Sequence, residues 1–400
     1  MRVDVESSEA AMLARLRDAI DTDPALAARL AAIVDGHSFA IVAHAEAAAF
    51  GIDLSLAAIA AAIRPDPLGL ERFALPLPTH HEWPAPAWLP VAVADGAAGP
   101  VVEWLHFAGR RLTEPFFEEA VRRARCLPLN RLRPVRTPLD RFAETMPAGA
   151  AFAPSGFVFH LSRCGSTLVA QMLAAVPDHV VASEPPPLDA IVQRASTGDA
   201  AARGIAVAQL RAMVAALLRD RHGDRRIGVV KLDCWHMLAW ELFAEAFSDV
   251  PFLFLYRDPV EILVSHARRP GSQTVPGLIP HLAEDSDAAA DPAMFGARLL
   301  GRIADAATDA VRARRAIAVR YDALPDAFFD RILPHFGIAV DDAGRTAMRA
   351  AGGRDAKAPT TRFIDDRAAK HVEATPELRG RAAALVTPAV ARLDAAEAAR

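Results

Sequence analysis

Residues 156–184 read GFVFHLSRCGSTLVAQMLAAVPDHVVASE, and the fold class turns on this stretch. The run Phe157-Val158-Phe159-His160-Leu161 is apolar and β-prone, the pattern of a buried parallel strand. Ser162-Arg163-Cys164-Gly165-Ser166-Thr167 then turns the chain into Leu168, Val169, Met172, Leu173 and Val176, which recur at helical spacing. A strand, a short turn with one glycine and small hydroxyl residues, and a helix start together form an anion trap. Backbone N–H groups and the positive helix end converge there on a phosphate-like group. His179 to Ser183 reads as a second strand, closed by Glu184.

The loop is not of the nucleoside-triphosphatase kind. That motif places Lys and a hydroxyl residue after its last glycine, for the outer phosphates and magnesium. Here Ser166 follows Gly165 directly, and the one cation of the turn, Arg163, precedes the glycine. Such a loop suits a transferable group less charged than a γ-phosphate. Since many strand–glycine–helix turns bind nothing, the stretch alone leaves a purely structural turn open.

Four hundred residues with a net charge of −4 leave room for two or three cored domains and give no sign of nucleic acid as a partner. The basic residues are nearly all arginine, and the only lysines are Lys231, Lys357 and Lys370, so a lysine at a strand end stands out. Cys126, Cys164 and Cys234 are odd in number and far apart, as in a reducing compartment. The N-terminus lacks the basic-then-apolar order of a signal peptide, and Leu54 to Ile63 is too short to span a membrane. The expectation is a cytoplasmic protein without a membrane partner; oligomeric state is not readable.

The expected organisation is a helical domain over 1–66, a Pro-rich α+β connection over 67–150 and an α/β domain over 151–400. In the first, Ser8 with Glu9 is read as the cap of a helix carrying Met12, Leu13, Leu16 and Ile20. Asp23-Pro24 starts a second helix, Ser38 caps a third that stops at Gly51, and Asp53 or Ser55 caps a fourth. Ser8-Glu9, Asp23-Pro24-x-Leu26 and Ala47 to Leu54 resemble the leader domain of nitrogen-fixation-type precursor peptides. That resemblance implies recruitment of a peptide; a helical cap or dimerisation unit is the plain alternative. In the connection, Pro65, Pro67, Pro76, Pro78, Pro84, Pro86 and Pro90 break regular structure, Val101 to Phe107 reads as a strand and Pro115 to Arg125 as a helix. This segment is expected to line an acceptor cleft. His80, His81, Glu103 and His106 lack ligand spacing, so no metal site is expected.

From Gly156 onward strands alternate with helices, as a doubly wound parallel sheet of P-loop type requires. Further strands are read at Ile227 to Asp233, Pro251 to Tyr256 and Ala316 to Tyr321, and helices at Trp235 to Phe247, Val260 to Ala267, Pro292 to Arg314 and Phe328 to Phe336. Arg163, Glu184, Lys231 and Arg257 all stand at strand ends. Open α/β sheets bind their ligands at the carboxyl ends of the strands, so these four residues are expected in one crevice.

With those residues assembled, the chain resembles the sulfotransferases that use 3′-phosphoadenosine 5′-phosphosulfate. Arg163-Cys164-Gly165-Ser166-Thr167 is similar to the family's 5′-phosphosulfate loop. Arg257-Asp258-Pro259, with Ser265 eight positions after the arginine, is similar to its 3′-phosphate motif, and Val319-Arg320-Tyr321-Asp322-Ala323-Leu324 to its late strand. Within the family, Arg163, Glu184 and Lys231 resemble the arrangement of the tyrosylprotein sulfotransferases. Ser183-Glu184 followed by Pro185, Pro186 and Pro187 departs from that pattern. The C-terminal phosphate loop is not recognisable, Arg354 and Lys357 being its only candidates.

The resemblance implies a role for each residue. Residues 164–167 hold the 5′-phosphate and sulfonate, Arg163 and Lys231 stabilise charge on the bridging oxygen, and Arg257 with Ser265 grips the 3′-phosphate. Glu184 takes the proton of the acceptor hydroxyl, on a peptide, an alcohol or a phenol, with Asp233 as the rival base. His160 and His236 are read as structural. Plainer readings stand beside these: Arg257 in a strand-end ion pair, Asp258 as a helix cap, Glu184 simply solvated. A P-loop phosphotransferase and a non-catalytic peptide-binding protein are the alternative functions.

Overall fold

A computed structural model describes residues 2–66, 79–196, 198–282, 291–357, 361 and 366–400, the side chains of 2–8 and of 280 excepted. Pro67, Pro76 and Pro78 and the side chain of Ser8 therefore lie outside the described residues. The chain divides into two compact units. One comprises Met1–Arg111, Glu118–Ala151 and Ala215–Asp224; the other comprises Leu112–Phe117, Phe152–Val214 and Arg225–Arg400.

The first unit opens with helices Arg2–Thr22, Pro24–Ala31, Gly36–Ala49 and Leu56–Ala62. Two of the expected caps are corrected. The first helix starts at Arg2, so residue 8 lies inside it, and Glu9 instead accepts a hydrogen bond from Ser55 Oγ at 3.0 Å. The third helix is capped by Asp35, whose carboxylate accepts from Ser38 N–H at 2.7 Å. Asp23 and Ser55 cap the second and fourth helices as read. Leu16, Leu26, Leu30, Phe39 and Ile59 are fully buried among these helices, joined by Leu129 and Leu132. The unit also holds an antiparallel sheet of β1 (Trp88–Gly96), β2 (Gly99–His106) and β3 (Val135–Pro138). The flanking strands escaped the sequence reading because Pro90 and Pro138 sit inside them.

The second unit is the doubly wound sheet. β4 (Gly156–His160), β5 (His179–Ser183), β6 (Ile227–Lys231), β7 (Phe252–Tyr256) and β8 (Ala316–Arg320) pair in parallel in the order β5-β6-β4-β7-β8. β4 and β7 are buried at every residue, because both faces are covered. Period-two alternation sends Phe157 and Phe159 to one face, where they meet Phe243 and Phe252 at ring separations of 5.1–5.7 Å. Val158 points to the other face, into a cluster with Val169, Met172, Leu173, Leu253, Phe328 and Phe336. Two helices differ from the reading. Trp235 to Phe247 begins as a 3₁₀ segment, Cys234–Ala239, before the α-helix Trp240–Ala246. Ala200–Leu217 is, by length and composition, apolar enough to cross a membrane (mean hydropathy 1.3 over 18 residues), contrary to the expectation that no stretch is. More than half of it, 56 %, is buried in the protein, and Arg211 within it donates to the Ala246 carbonyl at 2.7 Å.

The chain passes from β4 out to β5, returns to β6 beside β4, then crosses to β7 on the other side. The strand order thus reverses at β4, and a crevice opens where its carboxyl end meets the loop 161–165.

Candidate active site

The loop after β4 is held in a conformation that side chains resist. Ser162, Arg163 and Gly165 have φ of +60°, +51° and +86°. Left-handed backbone costs a non-glycine residue about 1–2 kcal/mol, so the surroundings must enforce it. They do. Ser162 N–H donates to His160 Nδ1 at 3.1 Å, and Ser162 Oγ lies 3.1 Å from both His266 Nε2 and Gln273 Nε2. The Cys164 thiol donates to the Leu255 carbonyl at 3.1 Å; burial pushes its pKa up to about 12, so it anchors the loop and is no nucleophile. A Cβ on Gly165 would stand 2.6 Å from the Tyr321 ring, so close packing as well as φ demands glycine there.

Gly165 also serves as the cap of helix Ser166–Ala174 and offers no side chain to the first helical N–H groups. Ser166 and Thr167 are buried, yet among the described residues neither hydroxyl has a hydrogen-bond partner. Unsatisfied helix N–H groups and two hydroxyls thus meet at the end of the central strand, a set of donors made for an anion.

β5 and β6 bring the next pair together. Ser183 lies in register with Lys231, and Glu184 N–H donates to the Lys231 carbonyl at 2.7 Å, with Glu184 itself at φ +55°. Lys231 is fully buried, and its ammonium is ion-paired with Glu184 Oε1. His160 Nε2 stands 3.4 Å from the same oxygen. Because His160 Nδ1 accepts from Ser162, the proton of the neutral ring sits on Nε2, facing Glu184. Burial alone would raise the Glu184 pKa; Lys231 and His160 outweigh it and hold the carboxyl well below its usual range. Asp233 behaves in the opposite way. Burial first, then the charge of Glu184, pushes it up to about 7.

Two further groups complete this end. The Phe116 ring centroid lies 5.0 Å from Lys231 Nζ and 5.7 Å from Lys357 Nζ, so one aromatic face is shared by two ammonium groups. Burial of the Lys357 ammonium, then Arg163 and Lys231 beside it, lowers its pKa to about 8. Arg163 donates to the Arg269 carbonyl at 2.9 Å, which ties the loop to the end of helix Pro259–Arg268.

Beyond Tyr321, the end of β7 carries the second cationic group. The Arg257 guanidinium stacks on the Tyr321 ring at 4.2 Å, and that same ring packs on Gly165. Arg257 Nε is ion-paired with Glu261, both side chains being only 7 % exposed, and Nη2 reaches Asp366 Oδ1 at 3.3 Å. Ser265 Oγ donates to the Glu261 carbonyl at 2.7 Å. Arg257 and Ser265 therefore do not touch; Glu261 links them, by its carboxylate on one side and its carbonyl on the other. Asp258 caps the helix through Glu261 N–H at 3.1 Å. Arg257, Asp258, Glu261, Arg320, Tyr321, Asp322 and Arg367 line a cavity of about 150 Å³.

Residues 154–342 match the sulfotransferase family. No curated protein matches the chain in sequence. Among solved structures, a sulfotransferase from Alicyclobacillus acidocaldarius is similar at 18 % identity, over 62 % of this chain and 96 % of its own, with a TM-score of 0.39. The sulfotransferase domain of the Synechococcus PCC 7002 olefin synthase is similar at 16 % identity over 62 % and 96 %, TM-score 0.35. Sulfotransferase STF1 from Mycobacterium tuberculosis H37Rv follows at 17 % over 57 % and 80 %, TM-score 0.33.

The matched segment contains β4 to β8 and every site residue named from the sequence except the C-terminal candidates Arg354 and Lys357. Outside it lie Phe116, Lys357, Asp366 and Lys370, which join the same unit from both flanks. Sequence reading missed Glu261 and the two C-terminal groups Asp366 and Lys370. The one available signal was the four-residue spacing of Arg257 and Glu261. Among the described residues, two groups have metal-ligating side chains close together: Asp189, Asp233 and His236, and Asp258, Glu261 and His371. In the first, Asp189 accepts from Trp235 Nε1 at 2.6 Å and lies 3.0 Å from His236 Nε2. The His80–His106 region has other partners: His106 Nδ1 accepts from Ala108 N–H at 3.0 Å, and Glu103 is paired with Arg136.

Proposed function

We propose that the protein transfers a sulfuryl group from 3′-phosphoadenosine 5′-phosphosulfate to an acceptor hydroxyl. The observation that carries this reading is the uncapped start of helix Ser166–Ala174, where the hydroxyls of Ser166 and Thr167 have no hydrogen-bond partner among the described residues, beside the buried Lys231–Glu184 pair. A bound donor supplies the sulfuryl group and a nucleotide leaving group. Residues 164–167 are its natural 5′ partners, by N–H groups and hydroxyls. Lys231, a fixed buried charge, is suited to negative charge growing on the departing oxygen, and Arg163 and Lys357 add to the local positive potential. Arg257 on its aromatic platform is suited to the 3′-phosphate.

Glu184 is the proposed base. Lys231 and His160 keep it ionised, and it stands at the carboxyl end of β5, directly after the residue in register with Lys231. A second reading is favoured by one observation: the Asp233 carboxyl, at about 7, takes up a proton far more readily than Glu184 does. The likeness of the N-terminal helices to precursor-peptide leaders supports a peptide among the acceptors.

Calorimetry tests the donor. Adenosine 3′,5′-bisphosphate is expected to bind without magnesium, and AMP more weakly by about 1.5–3 kcal/mol, the worth of a hydrogen bond to a charged group. Equal affinity for the two, or tight magnesium-dependent ATP binding, would replace this reading with a phosphotransferase.

A further inference from the structure

Asp366 occupies the position that caps helix Arg367–Glu373, yet its carboxylate makes no cap hydrogen bond. An aspartate there ordinarily accepts from the helix N–H groups. Instead, it has turned to three cations: Lys370 Nζ at 3.0 Å, Arg257 Nη2 at 3.3 Å and Arg268 Nη1 at 3.7 Å. Lys370 is buried, its side chain 6 % exposed, while that of Asp366 is 42 % exposed. One accessible carboxylate thus sits in a nest whose cations come from the end of β7, the helix after it and helix Arg367–Glu373. Glu261, by contrast, is buried; it pairs with Arg257 Nε, and His371 Nε2 stands 3.3 Å from its other oxygen.

We infer that Asp366 is an internal stand-in for a phosphate monoester: it holds the Arg257–Arg268–Lys370 nest and is displaced when the nucleotide's 3′-phosphate arrives. The inference rests on the donor reading above and adds to it an autoinhibitory contact and two phosphate ligands, Lys370 and Arg268. Three arguments support it. Among the described residues Asp366 is the one carboxylate paired with all three cations, so a phosphate in its place would meet three charged donors at once. Asp366 forgoes its cap bond, so its place is set by these ion pairs, which a phosphate would take over, and not by the helix. Its exposure gives it somewhere to go, which Glu261 lacks. Glu261 then remains on Nε and keeps the guanidinium flat on Tyr321 while Nη2 changes partner.

The test compares adenosine 3′,5′-bisphosphate with AMP by calorimetry on the full chain, in wild type, Asp366→Asn, Glu373→Gln and Lys370→Met. Asp366→Asn is expected to raise the preference for the bisphosphate about tenfold, roughly one charge-assisted contact. Lys370→Met should lower that preference by a similar factor. Glu373, an exposed partner of Arg268 that does not touch Arg257, controls for net charge, and its glutamine variant should leave the preference within about twofold. An unchanged preference in Asp366→Asn, or an equal gain in Glu373→Gln, overturns the stand-in while leaving the donor reading intact. Failure of wild type to prefer the bisphosphate overturns both.

Discussion

The two ends of the crevice gather equal numbers of strong cations and treat them oppositely. At the loop after β4, Arg163, Lys231 and Lys357 meet Glu184, with the Asp233 carboxyl beside them pushed up to about 7. At the end of β7, Arg257, Arg268 and Lys370 meet Glu261, Asp366 and Glu373, with Asp258 close by. The first end is left with more cations than ionised carboxylates; the second is nearly neutralised from within. A pocket whose cations outnumber its carboxylates is poised for an external anion. A pocket with its own anions must exchange them, which costs affinity and adds selectivity. On this account the loop end supplies general attraction for the donor, and the β7 end decides which nucleotide is accepted.

The largest effect is expected from Glu184→Gln, which keeps size and hydrogen bonding while removing the base. Turnover with a simple phenol as surrogate acceptor should fall roughly 10²–10⁴-fold, with nucleotide affinity nearly unchanged. The pH profile separates the rivals. Because the Glu184 pKa is depressed, a base at Glu184 stays ionised as pH falls from 8 to 5, and kcat holds level. Were Asp233 the base, it would protonate below about pH 7 and kcat would drop about tenfold per pH unit. Asp233→Asn losing turnover while Glu184→Gln keeps it would move the base to Asp233.

Next comes a contrast in stability. Lys231→Met leaves Glu184 largely buried without its ammonium and should lower unfolding stability by about 3–5 kcal/mol, read from denaturant midpoints. Lys370→Met removes one of several cations around a half-exposed carboxylate and should cost about 1 kcal/mol or less. Equal losses would erase the distinction between the two ends.

Gly165→Ala should cost less than Lys231→Met. Left-handed backbone adds about 1–2 kcal/mol of strain, and the new methyl presses on Tyr321. Since Tyr321 touches both ends, affinity for the bisphosphate and for AMP should fall together; loss for the bisphosphate alone would show the ends are not coupled through that ring. The smallest effect concerns a region outside the crevice. Ile41 and Phe50 are 48 % and 44 % exposed on the N-terminal helices. Ile41→Ser with Phe50→Ser should raise KM for a peptide acceptor severalfold and spare nucleotide affinity; unchanged KM would make these helices a structural cap.

The two ends were also unequally legible. The loop, Glu184 and Lys231 were readable because strand, turn and helix follow one another within one short segment. Lysine is also so scarce here that each one drew notice. All three lysines do lie at this crevice, Lys231 and Lys357 at one end and Lys370 at the other. Arg257 and Ser265 were found by spacing, but their partners were not. Asp366 and Lys370 come from a helix more than a hundred residues later, with no periodicity to announce that it folds back on β7. The left-handed Ser162, Arg163 and Glu184 were illegible too, because backbone strain is imposed by neighbours such as His266 and Gln273 and leaves no mark on residue type.

The most direct test of the account is a crystal structure of the protein with adenosine 3′,5′-bisphosphate. The account predicts the 5′-phosphate on the N–H groups of residues 164–167 and the 3′-phosphate on Arg257, Arg268 and Lys370, with Asp366 turned away. A nucleotide bound elsewhere, or with its 3′-phosphate in solvent while Asp366 stays on Arg257, would contradict it.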